Sequence, residues 1–225
     1  MSGYINVVSR TQHIIVDPGS SAIAVINAGP PRSGDSGGSG GSDGIVITLP
    51  PPLTSGSPLQ AFTDSTGEAW IAKGDVNGGK WKRARDAIHC RVCRSAVWSI
   101  PVNPPVPLPW DTINNDLFGL YVLASNSFVI PVSGVYRVTI KMAPSGGVSA
   151  YYWQMSIAVN GGARDTNYGQ FGSSPNGMDD LMTGSIVCNA GDLVTTLTRG
   201  STAACSIPIG TSDRNFAELD YLGTG

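Results

Sequence analysis

Phe128-Val129-Ile130-Pro131-Val132-Ser133-Gly134-Val135-Tyr136-Arg137-Val138-Thr139-Ile140-Lys141-Met142 is the stretch on which the fold turns. Val138, Ile140 and Met142 alternate with Arg137, Thr139 and Lys141, the two-residue period of a strand with one buried face. The run before it, 127–131, stops at Pro131, whose ring fixes φ and removes the N–H a ladder needs. Gly134 permits the turn that follows, and Tyr136 offers a large half-buried ring. Strand, turn, strand is the reading.

The same grammar continues on both sides. Runs at 117–124, 151–159, 183–188, 193–198 and 215–222 join 127–131 and 134–142, with turn signals between them. Short strands at this spacing predict an antiparallel sandwich or barrel over residues 110–225. Composition agrees. The 225 residues include 29 Gly and 16 Pro, and only 13% are charged against an ordinary share of about 25%. With 41% hydrophobic residues the chain is not wholly disordered. Scarce Lys, Glu and Leu argue against long helices and coiled coils. The expected class is all-β.

Upstream, three regions separate. Residues 1–28 carry two β runs, Ile14-Ile15-Val16 and Ala22-Ile23-Ala24-Val25-Ile26, around Asp17-Pro18-Gly19. Two strands cannot bury a core alone, so an extended anchor that pairs with a larger assembly, or with its own copies, is expected. Residues 29–58 form a Gly/Ser/Pro-rich linker, with Gly29-Pro30-Pro31 of collagen composition, Ser33 to Gly44 flexible, and a β run at 45–49. Residues 59–101 read as a small β-hairpin module: Ala69 to Lys73, a turn at Asn77-Gly78-Gly79, then Lys80 to Ala84, with a further alternating run from His89. Asn103 to Pro109 lies within a Pro-rich connector, residues 102–109. No apolar run is long enough to span a bilayer, so no membrane partner is expected. No positive region leads into an unbroken apolar stretch in the first thirty residues, so no secretory signal is expected either.

Here the residues resemble a family. The stretch from Phe128 to Tyr136 is similar to the Phe-x-Val/Ile-Pro-x-x-Gly-x-Tyr signature of complement globular-head and tumour-necrosis-factor-like jelly rolls. Pro109-Trp110-Asp111-Thr112, Asn115 and Tyr121 resemble its opening strands, and Ala190-Gly191-Asp192-Leu193-Val194 its Ala-Gly-Asp-x-Val turn. Asn215-Phe216-Ala217-Glu218-Leu219 stands where the closing strand belongs, although Asp220-Tyr221-Leu222-Gly223 is less hydrophobic than the family's usual end. The resemblance implies a jelly roll over 110–225, structural roles for Phe128, Pro131, Gly134, Tyr136, Gly191 and Asp192, and a homotrimer with its stalk on the N-terminal side.

A second resemblance covers the upstream part. Thr11-Gln12-His13-Ile14-Ile15-Val16-Asp17-Pro18 and Ala24-Val25-Ile26-Asn27-Ala28-Gly29-Pro30-Pro31 look like the start of minor tail proteins of actinobacterial phages. Asp64-Ser65-Thr66-Gly67-Glu68-Ala69-Trp70 and Lys80-Trp81-Lys82-Arg83-Ala84-Arg85-Asp86 are similar to a module of such proteins. This implies a structural virion protein assembled in the host cytoplasm, docked onto other virion proteins through residues 1–28. The expected function is a trimeric minor tail, tail-tip or fibre protein contributing to host-surface attachment. Alternatives are a capsid decoration or head-fibre protein, or a bacterial surface adhesin with a complement-like head.

Several constellations bear on chemistry. His89-Cys90-Arg91-Val92-Cys93 offers zinc ligands, but a structural site needs four and no second pair stands at matching spacing. On one strand, Cys90 and Cys93 point to opposite faces; ordinary strand cysteines and a zinc shared across a trimer are the two readings. Cys188 and Cys205 are either bridged or separate buried thiols. Asp111 and Asp116, or Asp179 and Asp180, are oxygen donors for Ca²⁺ or members of solvated loops.

Residues 73–94 hold seven of the 14 basic residues, Lys73, Lys80, Lys82, Arg83, Arg85, Arg91 and Arg94, against Asp75 and Asp86. With Trp70 and Trp81 they read as a nucleic-acid surface, an anionic wall-polymer surface, or a solvated hairpin face. A pI near 5.6 disfavours a dedicated nucleic-acid binder. Tyr151, Tyr152, Trp153, Arg164, Tyr168 and Phe171 are candidates for sugar or receptor contact, or for strand core and subunit interface. The two histidines, His13 and His89, fall in no nucleophile arrangement. No catalytic residue, resident cofactor or metal is assigned, and a non-enzyme is expected.

Overall fold

The computed structural model describes residues 13–16, 22–26, 45–102, 104–143, 151–171, 180–200, 206–207 and 214–224. Among them, helix is confined to one turn, α1 (Ala84–Ala87), and a 3-10 turn at Asn77–Gly79. The all-β expectation holds.

Strands β1 (His13–Val16), β2 (Ala22–Ile26) and β3 (Ile45–Thr48) make one antiparallel sheet, with Ile23 opposite Ile47. The two β runs of the expected anchor thus take their third strand from within the linker. Strands β4 (Gln60–Thr63), β5 (Ala69–Ala72) and β6 (Lys82–Arg83) make a second antiparallel sheet. Its inward residues Ala69 and Ile71 belong to the main core.

The remaining strands are β7 (His89–Cys93), β8 (Trp98–Ser99), β9 (Val106–Pro107), β10 (Thr112–Asp116), β11 (Tyr121–Val122), β12 (Ser127–Val129), β13 (Gly134–Met142), β14 (Tyr151–Val159), β15 (Gly162–Phe171), β16 (Asp180–Cys188), β17 (Leu193–Gly200), β18 (Ser206–Ile207) and β19 (Phe216–Gly223). A five-stranded sheet runs β10-β7-β19-β13-β16, and a second runs β11-β12-β17-β14-β15, with β9 attached to β17. Of eight strands, the first pairs with the last (β7 with β19), the second with the seventh (β12 with β17), the third with the sixth (β13 with β16) and the fourth with the fifth (β14 with β15). A long hairpin wound into two facing antiparallel sheets in this way is a jelly roll.

Alternation built it. Tyr136, Val138, Ile140 and Met142 of β13 and Met182, Ile186 and Cys188 of β16 turn inward, toward Trp153, Met155, Ile157 and Val159 of β14. Each such side chain contributes about 1.5–3 kcal/mol on burial.

Three expectations change. The jelly roll takes its first strand, β7, from upstream of residue 110, because Cys90 and Val92 alternate inward and β19 needs a partner on its second edge. The Pro-rich connector is docked rather than free: Val106 and Pro107 pair with Thr198 and Leu197, and Leu108 is buried. Pro107 is tolerated because β9 is an edge strand. Finally, 162–171, absent from the strand runs expected above, is the edge strand β15. Its polar Arg164-Asp165-Thr166-Asn167 run carries no alternation, and a ladder of backbone hydrogen bonds needs none.

Candidate functional site

The motif residues hold the turns of the jelly roll. Phe128 is buried and edge-on to Tyr121 at 5.1 Å. The Tyr136 hydroxyl, also buried, donates to the Val132 carbonyl at 2.6 Å and thereby closes the turn after Pro131. Its ring meets Tyr221 of the closing strand at 5.1 Å. A Cβ on Gly134 would stand 2.5 Å from both the Gly223 carbonyl oxygen and Tyr221 Cε2, so the glycine makes room for that ring. Gly191 has φ +88° and donates its N–H to the Ile130 carbonyl at 2.8 Å. The Asp192 carboxylate accepts from the Asn189 N–H and from Asn160 Nδ2, each at 2.7 Å, tying the turn before β17 to the turn before β15. The Asn189 N–H, then Asn160, hold its carboxyl below the ordinary range. These roles are structural.

The outward face of the five-stranded sheet is different in kind. Asp220 Oδ1 lies 2.6 Å from His89 Nδ1 and its Oδ2 2.9 Å from the Arg137 guanidinium. One row along, Arg91 pairs with Glu218 at 2.6 Å and lies 3.9 Å over the Phe216 ring. The cross-strand register puts these groups in line across β7, β19 and β13. Beside this compensated ladder stand exposed aliphatics: Val187, opposite Val135, is 76% exposed, Leu181 57% and Leu222 47%. Neither Glu218 nor Asp220 was legible as a partner of the basic run, since they lie more than a hundred residues away along the chain.

The basic window does not form one surface. Lys73 donates to the Phe118 carbonyl, Arg85 pairs with Glu68, Arg91 with Glu218, and Arg94 with Asp111 at 3.1 Å and the Pro109 carbonyl at 2.6 Å. Lys82 shares the register of Ile71 and Arg83 that of Trp70, so the two fall on opposite faces of the β4–β5–β6 sheet. Of the three readings of this run, the structure supplies a nucleic-acid surface with no continuous row of cations.

Several of the candidate metal ligands have other partners in the fold. His89 is taken by Asp220, and Cys90 points into the core, where burial, then the neighbouring Asp116, push its thiol well above the ordinary value. Cys93 is buried on the other side of the strand alternation. Among the described residues no three His, Cys, Asp or Glu groups gather to hold an ion. Asp111 accepts from Ser95 N–H, Ser95 Oγ, Ala96 N–H and Thr112 Oγ1; Asp116 accepts from the N–H groups of Leu120 and Tyr121. Both are turn clamps. Asp180 accepts from the Leu181 N–H, and Asp179 lies outside the described residues. Cys188 is a free thiol, pushed up to about 11 by burial and then by Asp192; Cys205 lies outside the described residues.

Of the proposed contact aromatics, Trp153 is 2% exposed and belongs to the core, so it presents nothing to a receptor. Arg164 is exposed on β15. Tyr151 pairs in register with Phe171, Tyr152 with Gln170 and Gln154 with Tyr168; the side chains of Tyr151, Tyr152, Tyr168 and Phe171 lie outside the described set. One aromatic was missed. Phe62, alone in a short weak strand, stands opposite Trp70 and edge-on to Trp81.

With the strand pairing in place, comparison with known proteins adds the following. No family model matches the chain, and no curated protein sequence matches it. Among solved structures it is similar to Eiger TNF from S. frugiperda, at 10% identity over 61% of this chain and 94% of that one, TM-score 0.47. It is similar also to murine APRIL, at 14% identity over 60% and 98%, TM-score 0.44. The class rests on the pairing of first strand with last through fourth with fifth: an antiparallel jelly roll, the architecture the sequence resemblance implies.

Proposed function

We propose that this chain is a non-enzymatic structural protein of a phage virion, a trimeric minor tail or fibre protein whose jelly roll contributes to attachment at the host surface. The observation that carries the self-association is the outward face of the five-stranded sheet. Its charges are already compensated by one another, so burying them against a copy leaves few unpaired. Its exposed aliphatics, led by Val187, gain from leaving water. The tail assignment draws its support from the sequence resemblance of residues 11–31, and the segment 1–28 docks onto other virion proteins in this reading. Assembly then takes place in the host cytoplasm.

Native mass spectrometry of the full chain tests the first half: a species at three times 23.3 kDa is expected, and a stable monomer overturns it. Labelled chain should adhere to intact actinobacterial cells and be displaced by purified wall polysaccharide. Trimers without adhesion favour capsid decoration, and sugar release from walls overturns the non-enzymatic reading.

A further inference from the structure

The solvent-side face of the β4–β5–β6 sheet carries three rings to which the jelly roll assigns no role. Phe62, Trp70 and Arg83 stand side by side in register, while Ala61 and Ile71 turn the other way, against the core. Trp81 is edge-on to Phe62, with centroids 5.0 Å apart and planes at 88°. Both indoles are fastened by their N–H groups: Trp70 Nε1 donates to Asp64 Oδ2 at 2.8 Å and Trp81 Nε1 to the Pro51 carbonyl at 3.4 Å. Edge anchoring fixes the ring planes, and all three rings remain half-exposed. A preorganised ring costs little entropy when something stacks on it.

Charge narrows the partner. The Arg83 guanidinium lies 5.9 Å over the Trp70 ring, and exposed Lys80 adjoins Trp81. The acids nearby are committed: Asp64 also accepts from Thr66 N–H, Thr66 Oγ1 and Glu68 N–H, Glu68 pairs with Arg85, and Asp75 accepts from Ser55 Oγ and the Gly56 N–H. The donors to Asp64 and Asp75 are neutral and leave those charges in place, so beside the rings the two cations Arg83 and Lys80 stand against the Asp64 carboxylate at the edge of Trp70. A single-stranded nucleic acid carries a charge on every nucleotide and needs a track of cations. A glycan with occasional acidic groups needs rings for its C–H faces and one or two cations.

We propose that this face binds an anionic glycan, with sugar rings stacked on Trp70 and Trp81 and an acidic substituent held by Arg83 and Lys80. The inference deepens the attachment reading above by giving it a site and a ligand class.

The full chain is titrated with polygalacturonate, with uncharged dextran and with oligodeoxythymidine, following tryptophan fluorescence and heat. Polygalacturonate should bind most tightly, and Trp81→Ala should weaken it about tenfold, the loss of one stacked ring. Trp81→Phe should restore most of that loss. Lys80→Gln with Arg83→Gln, which keeps the rings, should weaken binding several-fold and flatten its salt dependence. Absence of polygalacturonate binding overturns the proposal, as does unchanged binding in both the ring and the charge variants. Tighter binding of oligodeoxythymidine overturns it in favour of nucleic acid. If the wild-type chain adheres to cells and Trp81→Ala adheres equally, this site falls and attachment stands. Binding of polygalacturonate through Trp81 without adhesion to cells gives the reverse.

Discussion

Gly134→Ala tests the packing that closes the jelly roll. The added Cβ would lie 2.5 Å from the Gly223 carbonyl oxygen and from Tyr221 Cε2, and 3.0 Å from the Tyr221 hydroxyl. That is about 1 Å short of an ordinary carbon contact. Gly223 is held opposite Val135 next to a register shift, and Tyr221 is packed against Tyr136, so neither neighbour is a loose chain end. Overpacking of this kind costs about 1–3 kcal/mol, and the backbone partner puts this site near the upper end. At about 2–4 °C per kcal/mol for a chain of this size, Tm should fall by about 6–12 °C. Circular dichroism against temperature and a urea titration with unchanged m-value would record it. Gly161→Ala is the comparator: φ is +81° there, but a Cβ meets nothing within 4 Å, so only backbone strain of about 1 kcal/mol is incurred. If Gly134→Ala costs no more than Gly161→Ala, the packing argument is wrong.

Two neighbouring tyrosines should respond in opposite directions. Tyr136→Phe leaves the Val132 carbonyl without its donor and should cost about 1 kcal/mol, whereas the buried Tyr221 hydroxyl has no partner among the described residues, so Tyr221→Phe should be neutral or stabilising in the same urea titration. In the trimer proposed above, Val187→Asp on the outward face should yield monomers in sedimentation while leaving monomer stability within about 0.5 kcal/mol. For Asp64 and Asp111, burial alone would raise the carboxyl, but several hydrogen bonds outweigh it and hold both below the ordinary 3.8. Their stabilisation is therefore complete above 3.8 and drains away as pH falls through the lower folded values; Asp111→Asn should remove part of that acid slope. In a Cys205→Ser background, Cys90, Cys93 and Cys188 should resist a thiol reagent at pH 8 and react once urea unfolds the chain, because all three are buried.

Much of the architecture was legible locally. The alternation of 134–142 and the Pro131-to-Gly134 turn are short-range signals, since strand period and turn chemistry are set within a few residues. The motif residues Phe128, Gly134, Tyr136 and Asp192 were marked out by the family resemblance, and why Gly134 must be glycine depends on Tyr221, far along the chain. Strand β15 escaped notice because an edge strand pairs through backbone groups and needs no apolar pattern. The basic run 73–94 looked like one continuous surface only while the partners of Lys73, Arg91 and Arg94 were unknown. Glu218, Asp111 and the Phe118 carbonyl arrive from distant segments and disperse it.

Composition and periodicity are sums over neighbours in the chain, and they sufficed for an all-β class, its turns and its buried faces. Which strand closes the five-stranded sheet, which cations are compensated and which rings share the β4–β5–β6 face depend on contacts between segments up to 131 residues apart. Local propensity carries no information about those pairings. They follow from the one winding of the hairpin that buries every inward face at once.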